Sequence, residues 1–498
     1  MRPSDPWGRL KVLKNRHNGS YTWQVIAGSA TLGLVVAAGA VLAAGPWDNG
    51  QRKAERALAV TADRTGGAHH GRPTPDGPRP APSAPAVLPA LGTTTHDAPR
   101  DAAALRDTLA PLIGAPGLGD KVAASVIDTA TGKQLYGSGA TTPMTPASTI
   151  KIATATAALS ALGPDHRIAT TVALSPDART LTLVGGGDPT LSRAALRSMA
   201  ADAAKALRED GEDSENGENG ENGEDPAGPV RLAYDTSRYT GPVLHPISPN
   251  ENIAPVTALM VDEGRLNDTD RGPAKRTDDP AGDAARAFAA QLKKAGVKVT
   301  GTPREARPAD ESRTVATHRS APLAALVERT LTNSDNDIAE ALARQTAIAK
   351  GESADFAGAR RAVTNELKKL KIPVTGAHLA DGSGLDREDR VTPALLTALL
   401  ARAADPDRPG LRPVLTGLPI AGFSGTLGGR YQDGSEGTGL IRAKTGTLNG
   451  VNSLAGTVVD PRGRLLAFAF LASGSLSATE AEPALDALAT ALARPTAE

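Results

Sequence analysis

The sequence predicts an α+β fold in which helices flank an antiparallel sheet. Two apolar segments, 452–459 and 465–472, are joined by an Asp-Pro-Arg-Gly turn and indicate a β-hairpin. An Ala- and Leu-rich segment over 478–493 predicts a closing helix directly after this hairpin. Leucines at helical spacing over 101–113 predict another helix near the start of the folded part.

The predicted elements between these two ends alternate in type along the chain. Strands are expected at 122–127 and 134–136, followed by a helix from Ser148 to Leu162 that Gly163-Pro164 ends. The later predicted elements are two strands within 167–184, a helix over 284–295, a strand at 297–300, a helical region over 321–349 broken near 332–336, and a helix over 359–370.

The composition excludes several classes of function. The 498 residues include 55 Lys and Arg against 55 Asp and Glu, and this balance argues against nucleic acid as the main partner. There is no cysteine, which excludes disulfides, thiolate zinc ligands and a cysteine nucleophile. The eight histidines form no HExxH pair, which argues against a zincin-type zinc site. We predict neither a metal nor a cofactor.

The N-terminal region predicts a single-pass membrane anchor. A basic tail over 1–22 precedes an apolar segment, 23–47, whose uncharged core over 25–45 has the ~20 residues that span a bilayer. Trp23 and Trp47 bracket the segment as interfacial aromatics do. The tail is therefore expected in the cytoplasm and the catalytic part outside the cell membrane. A cleaved signal peptide, which would make the protein secreted, is the alternative.

Two further segments have compositions that do not favour a packed core. Residues 48–98 are rich in Pro, Ala, Gly, Thr and Asp and predict a disordered linker. Residues 209–225 repeat Glu, Asp, Asn and Gly without an apolar side chain and predict a solvated acidic loop. Calcium can bind acidic loops, but the EF-hand spacing is missing, so no metal site is predicted there.

Three short motifs carry the candidate chemistry: Ser148-Thr-Ile-Lys151, Ser334-Asp-Asn336 and Lys444-Thr-Gly446. A serine hydroxyl is a poor nucleophile unless a base removes its proton, and Lys151 lies on the same helical face one turn later. A lysine can be that base when burial or a nearby cation lowers its pKa. The helix start also presents free N–H groups that can stabilise an oxyanion.

Each motif alone has an ordinary explanation as a helix cap, a turn or a strand start. In this order, however, the set is typical of penicillin-binding proteins and class A β-lactamases. Other nucleophile and phosphate motifs are missing: no G-x-S-x-G occurs, and Ala443 stands where a Walker A loop needs glycine.

On these residues the chain resembles the D-Ala-D-Ala carboxypeptidase/endopeptidase family of class C, low-molecular-mass penicillin-binding proteins. Three runs strengthen the resemblance: Leu-Val-Gly-Gly-Gly-Asp-Pro-Thr-Leu over 183–191, Asp-Gly-Ser-Gly-Leu over 381–385, and Lys-Thr-Gly-Thr over 444–447. The resemblance covers residues 100–495. It implies a serine β-lactamase-like transpeptidase domain with a smaller inserted domain.

The resemblance implies a role for each motif residue. Ser148 would form the acyl-enzyme, Lys151 would activate it, and Ser334 would relay protons. The residues expected to bind substrate are Asn336, Lys444, Thr445, Gly446 and Thr447, and backbone N–H groups of Ser148 and Thr447 would form the oxyanion hole. The implied substrate is a peptidoglycan peptide ending in D-Ala-D-Ala, and β-lactams would acylate the same serine.

The resemblance also implies a split catalytic domain, with residues 99–165 and 310–498 enclosing an inserted domain over 166–309. Ser148 and Ser334 lie 186 residues apart, which leaves room for such an insert. The inner domain that usually interrupts the insert is expected to be missing or vestigial.

Two alternatives remain open from the sequence. A serine β-lactamase would need a glutamate to position the deacylating water, and Glu366, the nearest candidate, falls in a predicted helix. The other alternative is a wall-binding module without activity. The presence of every motif side chain argues against it.

Overall fold

The computed structural model describes residues 98–213, 228–248, 250–432, 434–475 and 477–494. The predicted basic tail, membrane anchor and linker lie outside these residues, except for Ala98 at the end of the linker. Within the described ranges, no helix combines the length and the apolar character that crossing a bilayer requires. The predicted acidic loop is only partly described, and its first residues, 209–213, are helical instead of forming a loop.

The first sheet is antiparallel throughout and has the strand order β2-β1-β10-β9-β8. Strands β9 and β10, the last two in the chain, form the predicted hairpin. The Asp460 carboxylate accepts the N–H groups of Arg462 and Arg464 and thereby closes the turn between them. The strands are β1 (Lys121–Asp128), β2 (Gln134–Ser138), β8 (Ile441–Leu448), β9 (Val451–Val459) and β10 (Leu465–Ser473).

Helices cover both faces of this sheet, because alternate residues of β10 point to opposite sides. Phe468 and Phe470 pack with α1 (Ala98–Ile113) and α10 (Ala478–Ala493) on one face. The small residues Ala467 and Ala469 face α2 (Lys151–Leu162) and α8 (Pro393–Ala404) on the other. The predicted α+β fold, with helices on an antiparallel sheet, is thus confirmed for this part.

The second sheet is mixed and has the order β6-β5-β4-β3-β7. Strands β4–β5 and β5–β6 pair in parallel, whereas β3 pairs antiparallel with both β4 and β7. Helices α3 (Arg193–Asp213) and α4 (Pro280–Lys294) pack on it. The strands are β3 (Ala169–Leu174), β4 (Thr180–Val184), β5 (Val230–Asp235), β6 (Val299–Glu305) and β7 (Arg313–Arg319).

The last strand of the second sheet follows the predicted domain boundary at residue 309. Because β7 pairs with β3 along its length, the chain leaves this sheet only after Arg319. It then forms α5 (Leu323–Asn333), α6 (Asn336–Ala349), α7 (Phe356–Lys369) and, after α8, the single turn α9 (Pro413–Thr416). The predicted helical break near 332–336 is the α5–α6 junction.

Candidate active site

Ser148 lies in a 3₁₀ turn, Ala147–Ile150, that leads directly into α2. The α-helix itself begins at Lys151, three residues later than the predicted start, because residues 147–150 form the tighter 3₁₀ turn, whose first residue, Ala147, has a left-handed φ of 47°. Two hydroxyl groups hold the turn by donating to the Pro146 carbonyl: Ser453 Oγ at 2.6 Å and Thr149 Oγ1 at 2.7 Å. The nucleophile candidate is therefore fixed by contacts from both sides of the turn.

The Lys151 ammonium group is fully buried beside Ser148. Its Nζ lies 2.9 Å from Ser148 Oγ, 2.7 Å from Asn336 Oδ1 and 2.5 Å from the Ser383 carbonyl oxygen. Burial lowers the pKa of Lys151 to about 8, although the carboxylates of Asp381 and Glu340 oppose that shift. At pH 7 about a tenth of the side chain is therefore the free amine, the form that can accept a proton, and this fraction rises to about half at pH 8.

The Ser334-Asp335-Asn336 turn joins α5 to α6 and places Ser334 and Asn336 in the same cleft as Ser148. Ser334 has a left-handed φ of 59°, which ends α5 sharply. Asp335 caps α6 by accepting the Ile338 N–H at 3.0 Å. Asn336 bonds Lys151 with its oxygen and donates its amide nitrogen to the Asn252 carbonyl at 2.9 Å. The amide orientation is thereby set with Oδ1 toward Lys151.

Strand β8 carries the third motif and alternates its side chains between the cleft and the interior. Thr445 and Thr447 line the cleft, and Thr445 Oγ1 lies 2.7 Å from Thr426 Oγ1. Lys444 is fully buried, and its Nζ donates to the Thr445 carbonyl at 2.8 Å. Burial and the charge of Lys151 both lower the pKa of Lys444 well below its usual value.

A cleft of about 330 Å³ opens in front of Ser148. The predicted site residues that line it are Ser148, Ser334, Asn336, Thr445 and Thr447. The other three predicted site residues lie behind its wall: Lys151, Lys444 and Gly446. The structure thus brings residues from three distant parts of the sequence to one surface.

The cleft also has lining residues that the sequence motifs did not identify: Asn252, Arg265, Arg276, Leu385, Thr426, Arg430 and Glu482. They come from loops and helices that are far apart in the chain, and no short pattern connects them. Thr426 ends the run Gly422-Phe-Ser-Gly-Thr426, which departs from G-x-S-x-G at its last position, and its contact with Thr445 is what places it in the cleft.

Glu366, the candidate for a β-lactamase water-positioning glutamate, is held away from this chemistry. It lies on α7, where Ser160 Oγ donates to its carboxylate at 2.9 Å and Lys350 Nζ approaches it to 2.6 Å. Its hydrogen bonds therefore go to α2 and to the end of α6 rather than to the cleft, which disfavours the β-lactamase alternative.

Comparisons with known proteins point to one family. Residues 105–270 and 267–494 match the D-Ala-D-Ala carboxypeptidase 3 (S13) family. A carboxypeptidase of Mycobacterium tuberculosis is 37% identical over 83% of this chain and 88% of its own. A D-alanyl-D-alanine carboxypeptidase of an Actinomadura species is 29% identical over 74% of this chain and 81% of its own.

The structural comparison points to the same fold. The crystal structure of penicillin binding protein 4 from Haemophilus influenzae superimposes with a TM-score of 0.62 at 22% identity, covering 78% of this chain and 98% of that chain. At this identity, the match establishes the shared fold.

Proposed function

The chain belongs to the D-Ala-D-Ala carboxypeptidase 3 (S13) family, as the sequence resemblance indicated, and we propose that it is a serine peptidase that removes the terminal D-Ala from peptidoglycan stem peptides ending in D-Ala-D-Ala. The observation that carries this proposal is the 2.9 Å contact between Lys151 Nζ and Ser148 Oγ at the base of an open cleft. A serine placed this close to a buried amine is an activated nucleophile.

The contacts of Lys151 orient its lone pair toward the nucleophile. Asn336 Oδ1 and the Ser383 carbonyl oxygen can only accept hydrogen bonds, so they take the two hydrogens of the neutral amine. The third direction, toward Ser148 Oγ, is left for the lone pair, and the serine hydroxyl donates to it. The amine is thus ready to remove the hydroxyl proton as the oxygen attacks.

The reaction then follows from these positions. Ser148 Oγ bonds to the carbonyl carbon of the penultimate D-Ala while its proton moves to Lys151 Nζ. The carbon–nitrogen bond breaks, and the leaving D-Ala amine takes a proton that passes from Lys151 through the hydroxyl of Ser334 in the cleft wall, which returns Lys151 to the neutral amine. Water hydrolyses the resulting ester and restores Ser148. N–H groups of Ser148 and Thr447 are the proposed oxyanion donors.

The two threonines of β8 are the proposed site for the terminal carboxylate. Thr445 lines the cleft together with Thr447 and Thr426, and all three carry hydroxyl donors. Lys444 supports this site from behind the strand through the Thr445 carbonyl, and Gly446 lets the strand lie close to the Ser148 turn. β-Lactams carry a comparable carboxylate and are proposed to acylate Ser148.

The protein is further proposed to be anchored in the cell membrane by residues 23–47, with the catalytic part outside. The uncharged core of this segment, its flanking tryptophans and the basic residues before it support this assignment. Peptidoglycan lies outside the membrane, so the orientation matches the proposed substrate.

The test incubates wild type and Ser148→Ala with a pentapeptide that ends in D-Ala-D-Ala. Mass spectrometry measures the release of D-Ala. We expect release by wild type alone. Cross-linked muropeptides in a parallel reaction determine whether the same site also acts as an endopeptidase. A folded wild type that binds the pentapeptide without releasing D-Ala would favour the wall-binding alternative.

A further inference from the structure

His245 is a fully buried histidine that none of the catalytic motifs includes. It belongs to the segment that follows β5, and its ring packs edge-on against Phe356, with centroids 5.5 Å apart. The Ile247 N–H donates to its Nδ1 at 3.3 Å, so the ring hydrogen is carried by Nε2. Nε2 lies 2.9 Å from Asp381 Oδ2 and therefore donates to that carboxylate.

Asp381 is the centre of a tightly wrapped loop. Its two oxygens accept the N–H groups of four consecutive residues, at 3.0 Å from Ser383, 2.6 Å from Gly384, 3.0 Å from Leu385 and 2.9 Å from Asp386. Burial by itself would raise the pKa of Asp381, but the hydrogen bonds from His245 and the loop lower it well below its usual range. The carboxylate is thus a fixed anion around which the loop is built.

This loop supplies one of the three contacts of Lys151. The Ser383 carbonyl oxygen lies 2.5 Å from Lys151 Nζ, and the loop also packs under the nucleophile, because a Cβ on Gly384 would lie 2.1 Å from the Ala147 carbonyl oxygen. A shift of the loop therefore changes both the orientation of the amine and the turn that carries Ser148.

We propose that His245 is a positioning residue for the acylation step: through Asp381 it fixes the loop whose Ser383 carbonyl directs Lys151 toward Ser148. This inference rests on the proposed function of Ser148 and Lys151. His245 lies outside the three motifs, in the segment that follows β5. The inference adds it to the residues that activate Ser148.

A metal site is the competing explanation, because His245, Glu340 and Asp381 place ligand atoms near one another. The donors around these atoms argue against it. Glu340 Oε1 already accepts the N–H groups of Gly382 and Ser383, both at 2.9 Å, and Asp381 Oδ2 accepts Ser383 Oγ at 2.9 Å besides its other bonds. The oxygens are occupied by the loop, so the cluster functions as a hydrogen-bonded support.

The test compares side chains at position 245 that can and cannot donate a hydrogen bond to Asp381. His245→Leu removes the donor, whereas His245→Gln places an amide N–H near the position of Nε2. For each variant, the rate constant of Ser148 acylation by benzylpenicillin at saturation is measured separately from the dissociation constant. We expect His245→Leu to lower the acylation rate constant about 10–100-fold with a nearly unchanged dissociation constant, because small displacements of catalytic groups have effects of this size. His245→Gln should restore most of the rate.

Two controls separate positioning from packing. Phe356→Leu removes the ring against which His245 packs and should lower the melting temperature without changing the acylation rate constant. Asp381→Asn should be at least as slow as His245→Leu, because Asp381 also accepts the N–H groups of the loop. The double variant should be no slower than Asp381→Asn, because the two residues act in series. If His245→Leu does not fold, His245→Asn replaces it, since its amide ends one bond short of Asp381.

The inference is overturned if wild type is acylated and His245→Leu is acylated equally fast, or if His245→Gln is as slow as His245→Leu. Additive losses in the double variant would contradict it as well. A wild type that is not acylated at all would instead contradict the proposed function, so the two failures are distinct.

Discussion

Lys151 and Lys444 are both fully buried, but only Lys151 contacts the nucleophile. Each lies near the other's charge, and burial lowers the pKa of both. Burial and the charge of Lys151 lower the pKa of Lys444 well below its usual value, so Lys444 is the lysine that is kept neutral, whereas the nearby carboxylates hold the pKa of Lys151 at about 8. At the scale of single residues, the base is therefore produced by its surroundings rather than by the motif alone.

This electrostatic account predicts a pH dependence for acylation. Protonated Lys151 cannot accept the Ser148 proton, so the acylation rate with benzylpenicillin should rise about tenfold per pH unit and level off above a pH of about 8. Lys151→Arg, which stays charged, should be slower by about 10²–10⁴-fold at every pH. A rate that does not change between pH 6 and 9, measured by quenched-flow mass spectrometry, would contradict the assignment of the base.

Thr445 provides a second prediction at this scale. Replacing it with valine keeps the shape but removes a hydroxyl donor from the cleft, and a hydrogen bond to a charged group contributes about 1.5–3 kcal/mol. We expect kcat/KM for a D-Ala-D-Ala peptide to fall about 10–100-fold. The same peptide with a terminal amide, which has no carboxylate, should show little difference between wild type and variant. Equal losses on both peptides would exclude Thr445 as the carboxylate ligand.

At the scale of elements, the site depends on how closely β8 approaches the turn that precedes α2. Gly446 permits this approach, because a Cβ there would lie 2.2 Å from Ser453 Oγ and 2.7 Å from the Pro146 carbonyl oxygen. Ser453 on β9 in turn donates to that same carbonyl. Two neighbouring strands and one helix start are therefore joined at the nucleophile.

Gly446→Ala should push β8 away from the Ser148 turn. Overpacking of this kind costs about 1–3 kcal/mol, so we expect both a lower melting temperature and slower acylation. Gly429→Ala is the matched control, because a Cβ at Gly429 meets nothing within 4 Å, and it should behave like wild type. If Gly446→Ala is acylated as fast as wild type, the close approach of β8 is not needed for acylation.

At the scale of the whole molecule, the segment between β5 and α4 contributes directly to the site. Asn252 accepts from Asn336, and Arg276 pairs with the buried Asp337 at 3.0 Å, so this part of the chain holds the start of α6. His245 supports the loop after Asp381 from the same part. This segment is thus part of the structure that supports the proposed catalytic site.

The N-terminal region is predicted to determine location and not activity. A fragment over 89–498 should match the full chain in melting temperature and acylation rate, since the described core begins at Leu105. After cell fractionation, penicillin labelling should find the full chain with the membranes and the fragment in the supernatant. A full chain found in the supernatant would contradict the anchor, and a slower fragment would show that residues 1–88 contribute to catalysis.

The sequence predicted the local part of the site better than the distant part. The contact between Ser148 and Lys151 follows from a spacing of three residues, and such short-range geometry can be read directly from the chain. The group that Ser383 contributes is a backbone carbonyl, which has no side-chain signature, and the run around it supported the family resemblance without indicating this contact. Thr426, Asn252 and His245 reach the site through tertiary packing, which a single sequence does not encode in a short pattern.

The most direct test of the central claim is to map the covalent adduct that benzylpenicillin forms with the chain. Peptide mass spectrometry of the digested adduct should place the penicilloyl group on Ser148, and Ser148→Ala, shown to be folded by its melting temperature, should carry none. An adduct on another residue, or a folded wild type that forms no adduct, would contradict the account.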